Sequence, residues 1–147
     1  MADSPVYVCP FHRSTLKIKG GSARCPRCDA SYAIENEIWI LDTVHRADRL
    51  AFDEQVEASP IPLDKSKAER HMQAAGIGRL HRARILDAGC GLGDMAYGLA
   101  CHPHIKSSDI YAFDHSIASV RQAMSNVGQP ANGNRVYFST QDASSLF

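Results

Sequence analysis

The sequence predicts an α/β fold: a small cysteine-bearing β module followed by a parallel sheet with helices packed against it. Two observations lead to this prediction. Cysteine and histidine side chains form two closely spaced pairs within the first 28 residues. From residue 83 onward, apolar strand-like stretches alternate with helical patterns. That alternation is typical of parallel strands joined by right-handed crossovers.

Composition narrows the class of protein. The chain has 147 residues, a formal net charge of zero and 44% hydrophobic residues, as ordinary globular domains do. No run of about 18 apolar residues occurs, so we expect no membrane-spanning helix and no membrane partner. The first nine residues lack a basic side chain and precede Pro10, which disfavours a secretory signal peptide. The neutral charge also disfavours a protein that mainly coats nucleic acid.

The cysteines indicate both compartment and chemistry. There are five, and three of them lie within the first 28 residues. An odd number of cysteines without a signal peptide favours a reducing compartment, where clustered thiols bind metal more often than they form disulfides. We therefore expect the protein to be cytoplasmic.

The paired residues have the spacing of a metal site. Cys9 and His12 form one pair and Cys25 and Cys28 the other, each with two residues between its members. Zn²⁺ prefers four tetrahedral nitrogen or sulfur ligands, and a set of four protein ligands leaves no open position. The sequence therefore predicts a structural Zn²⁺ site in a zinc ribbon. A three-cysteine site completed by another histidine is the alternative.

The pattern along the chain predicts three regions. Residues 1–43 form the zinc ribbon, with strands at Thr15–Lys19, Tyr32–Ile34 and Ile38–Leu41. Residues 44–82 form a helical linker or cover, with helices near Arg46–Glu57 and Asp64–Ala75. Residues 83–147 form the α/β unit, with strands at Ala83–Ala88, Ile110–Asp114 and Arg135–Ser139 and helices at Asp94–Cys101 and Ser116–Val127.

A glycine-rich turn, Gly89–Gly93, joins the first parallel strand to the first helix of that unit. A dinucleotide fingerprint beginning at Gly89 would need glycine at position 94, which is Asp94. A carboxylate there would repel a pyrophosphate from the helix N-terminus. Asp114 ends the second strand, where an acidic side chain can bind both ribose hydroxyls. The pattern favours a nucleoside ligand that has no phosphates and carries an amino-acid end.

Three segments in this order, Ile85–Gly93, Phe113–Ser116 and Gln141–Ala143, resemble class I S-adenosylmethionine-dependent methyltransferases over about residues 80–147. The resemblance implies the first half of a Rossmann-like sheet. It also implies a role for each matching residue. The methionine end of the cofactor would lie against Asp87, Gly89, Cys90, Gly91 and Gly93. The ribose would contact Asp114, and the adenine would contact His115, Asp142 and Ala143. Taken singly, Asp114 could instead be a helix N-cap and Asp142 an ordinary loop residue.

A zinc module before such a domain is similar to the bacterial large-subunit ribosomal RNA guanine-N1 methyltransferases. The end of the ribbon, Tyr32–Leu41, also resembles small zinc-ribbon proteins that activate methyltransferases. The expected function is methyl transfer from S-adenosylmethionine to an unidentified acceptor, either a small metabolite or a ribosomal RNA base. The alternative is a non-catalytic zinc-ribbon adaptor that binds a partner methyltransferase.

The sequence identifies no catalytic residue. The resemblance implies that substrate selection depends on strands beyond the three found here. We therefore expect this chain to be the N-terminal part of a methyltransferase, inactive alone and weak in cofactor binding. Its first parallel strand would be an unpaired edge, so we also expect self-association through the incomplete sheet.

Overall fold

The protein is described by a computed structural model that covers residues 5–42 and 47–143. Its strands are β1 (Lys17–Lys19), β2 (Ser22–Arg24), β3 (Ser31–Glu35), β4 (Ile38–Ile40), β5 (Leu80–His81), β6 (Arg84–Ala88), β7 (Ile105–Lys106), β8 (Asp109–Asp114) and β9 (Arg135–Thr140). Its helices are α1 (Ala47–Ala58), α2 (Lys65–Ala75), α3 (Asp94–Cys101) and α4 (Ile117–Val127).

The N-terminal region is an antiparallel meander of β1 to β4. The turn predicted at Gly20-Gly21 lies between β1 and β2, and the turn predicted at residues 35–37 occupies residues 36–37, because Glu35 still belongs to β3. The first strand begins later than predicted, because Thr15 forms only an isolated bridge with Val8. Strand β2 was not predicted, since three residues are too few to show an alternation of apolar and polar side chains.

The meander continues directly into the parallel part of the protein. The strand order of the main sheet is β1-β2-β3-β4-β9-β8-β6. Strand β4 pairs in parallel with β9, with Trp39 opposite Ser139 and Ile40 opposite Thr140. The ribbon strands and the α/β strands therefore form one hydrogen-bonded sheet.

The predicted alternation of strands and helices after residue 83 is confirmed. Strands β6, β8 and β9 are parallel neighbours, and Ala88 lies opposite Phe113 where β6 ends. Helix α3 has the predicted bounds. Helix α4 begins one residue later than predicted, because Ser116 is its N-cap and accepts a hydrogen bond from the Ser119 N–H.

Two apolar clusters cover the two faces of the sheet. The larger one lies between the sheet and the helices, and includes Leu99, Ile110, Val120 and Phe138. The smaller one joins the ribbon to the other face of β8 and β9. Its members include Tyr7, Trp39, Tyr111 and Tyr137. Such a division of apolar side chains is what a sheet needs when it is covered on both faces.

The two helices of the middle region pack on the α/β unit. Asp64 caps α2 by accepting a hydrogen bond from the Lys67 N–H. Helix α2 lies so close to α3 that a Cβ at Gly98 would come within 2.7 Å of Met72 Cγ. The predicted start of the first helix at Arg46 and the region boundary after Thr43 lie outside the described residues, so the three-region division is still a prediction.

A second, two-stranded parallel sheet pairs β5 with β7. It was not predicted, because each strand has only two residues and the pairing depends on a tertiary contact between segments about 25 residues apart. The small sheet closes the end of the larger cluster, where Ile105 is fully buried and Leu80 packs against it.

Strand β6 is an edge of the main sheet, as the sequence predicted. On its surface, the Leu86 side chain is 60% exposed. An edge strand with exposed apolar side chains is a template for pairing with another chain. Within the described ranges, no helix is both long enough and apolar enough to span a membrane.

We expect Leu86→Lys to reduce self-association, because charge on an edge strand disfavours edge-to-edge pairing. Leu50→Lys is the matched control, since Leu50 is 61% exposed but lies on helix α1. Sedimentation velocity over a concentration series measures the effect. An unchanged association constant for Leu86→Lys, or an equal decrease for both variants, would show that the β6 edge is not the contact.

Candidate functional site

The four predicted metal ligands lie together. The ligand atoms of Cys9, His12, Cys25 and Cys28 are all within 4.8 Å of one another. Cys9 and Cys25 are buried, whereas His12 and Cys28 lie at the surface. Three sulfur atoms and one imidazole nitrogen are a donor set that Zn²⁺ prefers. The cluster could therefore hold a metal ion.

Both ligand pairs lie on turns with the same backbone pattern. The Arg13 N–H donates to the Cys9 carbonyl at 2.9 Å, and the Asp29 N–H donates to the Cys25 carbonyl at 3.1 Å. Arg13 and Asp29 both have positive φ angles, 52° and 55°. Each turn thus directs its two side chains toward the same point, as the two-residue spacing predicted.

The surroundings of the thiols affect their protonation. Burial opposes ionisation of Cys9, but hydrogen bonds with Tyr32 and His12 outweigh it and lower the pKa of Cys9 to about 6. At Cys28, a backbone hydrogen bond with Ala30 lowers the pKa, but desolvation and the neighbouring thiols outweigh it, so the net shift is upward. A metal ion binds thiolates and displaces their protons, so the lowered pKa of Cys9 favours metal binding at its sulfur.

The glycine-rich turn lies where β6 ends beside β8. The Gly89 and Cys90 N–H groups both donate to the Phe113 carbonyl, each at 2.9 Å. Gly89 and Gly91 have positive φ angles and open space where a Cβ would be. These two glycines therefore let a ligand approach the backbone closely.

Gly93 has a packing role. Its φ is 91°, and a Cβ there would come within 3.0 Å of the Ala123 backbone on α4. Glycine at this position lets α3 and α4 pack closely. Cys90 is also part of the packing, since its side chain is buried in the larger cluster and burial raises the pKa of its thiol. Both residues hold the turn in place.

Asp114 connects the end of β8 to the glycine-rich turn. One carboxylate oxygen accepts a hydrogen bond from the Gly91 N–H, and the other accepts one from the Ser116 N–H, each at 3.0 Å. His115 Nδ1 lies 3.1 Å from the second oxygen, and its ring is about half exposed. The carboxylate is thus held at the mouth of the turn with its neighbouring ring facing solvent.

Asp87, at the end of β6, has an unusual environment. It is 9% exposed, and its Oδ2 atom has no hydrogen-bond partner among the described residues. Burial raises the pKa of Asp87 to about 6, against a hydrogen bond with the Ala96 backbone that lowers it, and Asp114 raises it further. A buried carboxylate oxygen without a partner is costly, and such sites are often functional.

The third predicted segment begins at the end of β9. The Gln141 N–H donates to the Asp114 carbonyl at 3.0 Å. Asp142 and Ala143 follow directly in the chain. The carboxyl ends of β6, β8 and β9 therefore lie side by side. They bring the three predicted segments together at that end of the strands. We call this region the strand-end cleft.

Some residues near this cleft were not predicted from the sequence. On α1, the Phe52 ring stacks on His115 with a centroid distance of 6.4 Å, and Asp53 accepts a hydrogen bond from the Ser116 hydroxyl. His71 of α2 interacts electrostatically with Asp87. No sequence pattern predicted these three residues, because each contact joins segments that are distant in the chain.

Comparison with known proteins adds little to these observations. No protein-family model matches the sequence, and no curated protein matches it. Among solved structures, the chain is similar to the X-ray structure of YjhP from E. coli, with 23% sequence identity and a TM-score of 0.45. The match covers 65% of this chain and 37% of YjhP, so it spans little more than a third of that protein.

We expect Asp87→Asn to stabilise the fold at neutral pH. Because the pKa of Asp87 is raised to about 6 in the folded protein, the carboxyl favours folding below about pH 4 and loses that contribution as the pH rises through 6. Asparagine avoids this loss. The free energy of unfolding should therefore be about 3 kcal/mol higher for the variant near pH 7.5 and nearly the same near pH 4.

Denaturant unfolding at the two pH values measures this difference. Asp109→Asn is the control, because Asp109 pairs with Arg135 at 2.8 Å and its removal should not stabilise the protein. A stability difference for Asp87→Asn that does not change with pH would contradict the raised pKa.

Proposed function

We propose that this chain binds S-adenosylmethionine in the strand-end cleft and is the cofactor-binding part of a methyltransferase. The observation that supports this most is the buried, unpartnered carboxylate oxygen of Asp87 beside the glycine-rich turn. A ligand with a donor group at that point would satisfy the oxygen and recover the cost of its burial.

The charge of the cleft supports a cationic ligand. Asp87 and Asp114 lie at the ends of adjacent strands and interact electrostatically. S-adenosylmethionine carries a sulfonium and an ammonium group, and opposite charges attract strongly where water is partly excluded. A bound cation would lower the pKa of Asp87 and keep it ionised at neutral pH. A pyrophosphate-containing dinucleotide, by contrast, would be repelled.

In this proposal, each part of the cofactor contacts different residues of the cleft. We propose that Asp87 and the turn Gly89–Gly93 bind the methionine end and that Asp114 accepts hydrogen bonds from the ribose hydroxyls. His115, Asp142 and Ala143 would surround the adenine. When bound, the cofactor supplies a methyl group on a positively charged sulfur, which activates it for transfer. The residues of this chain bind and orient that group.

The methyl acceptor is a small metabolite or an RNA base in this proposal. No residue of the chain is assigned a catalytic role. Methyl transfer depends on holding the acceptor in line with the methyl group, and we propose that segments outside these 147 residues do so. The clustered thiols fit a reducing compartment, so we place the protein in the cytoplasm.

We further propose that Cys9, His12, Cys25 and Cys28 hold one Zn²⁺ ion with a structural role. Four protein ligands complete a tetrahedral shell and leave no position for substrate. The ribbon has only about 40 residues, and modules of this size usually need a metal, disulfides or a partner to fold. Metal binding would supply part of its folding free energy.

We expect Asp114→Ala to weaken S-adenosylmethionine binding tenfold to a hundredfold, because it removes charge-assisted hydrogen bonds worth about 1.5–3 kcal/mol. Asp109→Ala is the matched control, since Asp109 begins the strand that Asp114 ends. Isothermal titration calorimetry measures the affinity, and circular dichroism checks the fold. Equal affinities for the Asp114 variant and the unsubstituted chain would remove Asp114 from the site. No binding by the unsubstituted chain would contradict the proposal itself.

We expect the purified chain to contain about one equivalent of Zn²⁺ and to lose ribbon structure when a strong chelator removes it. Elemental analysis measures the metal, and near-ultraviolet circular dichroism follows the aromatic cluster around Trp39. Less than about half an equivalent of zinc, with a fold that chelator does not change, would contradict the zinc site.

A further inference from the structure

We propose that Tyr32 is a positioning residue of the metal site, whose hydroxyl donates a hydrogen bond to the Cys9 thiolate and so strengthens metal binding. The inference rests on the zinc site proposed above and deepens it. Tyr32 is not a ligand, and no feature of the sequence assigned it a role.

The geometry places the Tyr32 hydroxyl on the most buried sulfur. The Tyr32 oxygen lies 3.4 Å from Cys9 Sγ. Cys9 is fully buried, and Tyr32 is 3% exposed. In the metal-bound site the Cys9 sulfur carries no proton. The direction of the hydrogen bond is then determined, because only the tyrosine has a proton to donate.

The charge of the Zn²⁺-bound site is stabilised by hydrogen-bond donors to its sulfur atoms. Three thiolates and a neutral imidazole around Zn²⁺ carry a net charge of −1, and part of that charge is buried. Hydrogen bonds to the sulfurs distribute it. The Arg27 N–H lies 3.4 Å from Cys25 Sγ, and the Ala30 backbone bonds to Cys28. These donors belong to the same turn as their ligands.

Tyr32 differs from those donors because it comes from another element. It lies on β3, 23 residues along the chain from Cys9. Its hydrogen bond therefore ties the first ligand turn to the sheet as well as stabilising the thiolate. A partner outside the ligand shell that orients a ligand commonly changes metal affinity by about 10–100-fold.

Packing alone does not account for the hydroxyl. The Tyr32 ring belongs to the apolar cluster with Tyr7, Leu16, Ala23 and Trp39. A hydroxyl buried among such side chains is costly unless it has a hydrogen-bond partner, and phenylalanine would fill the same space without that cost. The Cys9 sulfur is the partner that the structure provides.

The test compares Tyr32→Phe with Tyr7→Phe in the full chain. Tyr7 is a matched control, because it lies in the same cluster and its buried hydroxyl interacts with Ser139 rather than with a ligand sulfur. Competition with a chromophoric chelator measures the Zn²⁺ affinity of each variant. We expect Tyr32→Phe to bind Zn²⁺ about 10–100-fold more weakly, and Tyr7→Phe to bind like the unsubstituted chain.

A spectroscopic measurement separates hydrogen bonding from packing. In the Co²⁺-substituted protein, loss of the hydrogen bond leaves the Cys9 thiolate richer in electrons. The thiolate-to-cobalt charge-transfer band of Tyr32→Phe should therefore move to longer wavelength, while that of Tyr7→Phe should not move. A merely structural role for Tyr32 would leave the band in place.

The outcomes distinguish this inference from the zinc site itself. If the unsubstituted chain binds no Zn²⁺, the proposed site is wrong and the inference falls with it. If that chain binds one equivalent while Tyr32→Phe keeps its affinity and its cobalt spectrum, the site stands and the inference is overturned. If Tyr32→Phe does not fold, NMR of the cadmium-113-loaded unsubstituted chain decides. A scalar coupling between the metal and the Tyr32 hydroxyl proton supports the inference, and its absence overturns it.

Discussion

The parallel pairing of β4 with β9 is the interaction on which the rest of the structure depends. Trp39 lies opposite Ser139, and the Leu41 N–H donates to the Thr140 carbonyl at 3.0 Å just beyond the paired residues. This short contact gives β9 a partner on each side and makes it an interior strand. It also lets the aromatic side chains of the ribbon cover a face of the sheet that no described helix covers.

The same pairing connects the two candidate sites. The candidate metal ligands lie on turns of the ribbon, and Tyr7, two residues before Cys9, packs on Trp39 with a centroid distance of 4.6 Å. Trp39 lies on β4, whose neighbour β9 leads into the third segment of the strand-end cleft. The folded structure of the ribbon and the position of that segment thus both depend on the contacts of β4. The candidate metal ligands and the cleft nevertheless share no residue.

Two acidic side chains, Asp87 and Asp114, are buried close together in the cleft, which does not favour folding. Burial of Asp87 without a full set of partners costs stability, and its neighbour Asp114 adds like charge. Departures of this kind from the packing seen elsewhere in a fold commonly mark sites that bind a ligand. This loss of stability arises at Asp87, because the Asp114 carboxylate accepts hydrogen bonds from two backbone N–H groups.

The sequence by itself determined the local elements and predicted the candidate site residues. Ligand spacing brought Cys9, His12, Cys25 and Cys28 into one predicted cluster, and apolar periodicity located β6, α3, β8, α4 and β9, because turns and amphipathic elements depend on residues close together in the chain. Only the tertiary structure decided that β4 joins β9, that Tyr32 reaches Cys9 and that Phe52 lies on His115. Those contacts join residues distant in the chain, and their free energy comes from packing and burial that no local pattern encodes.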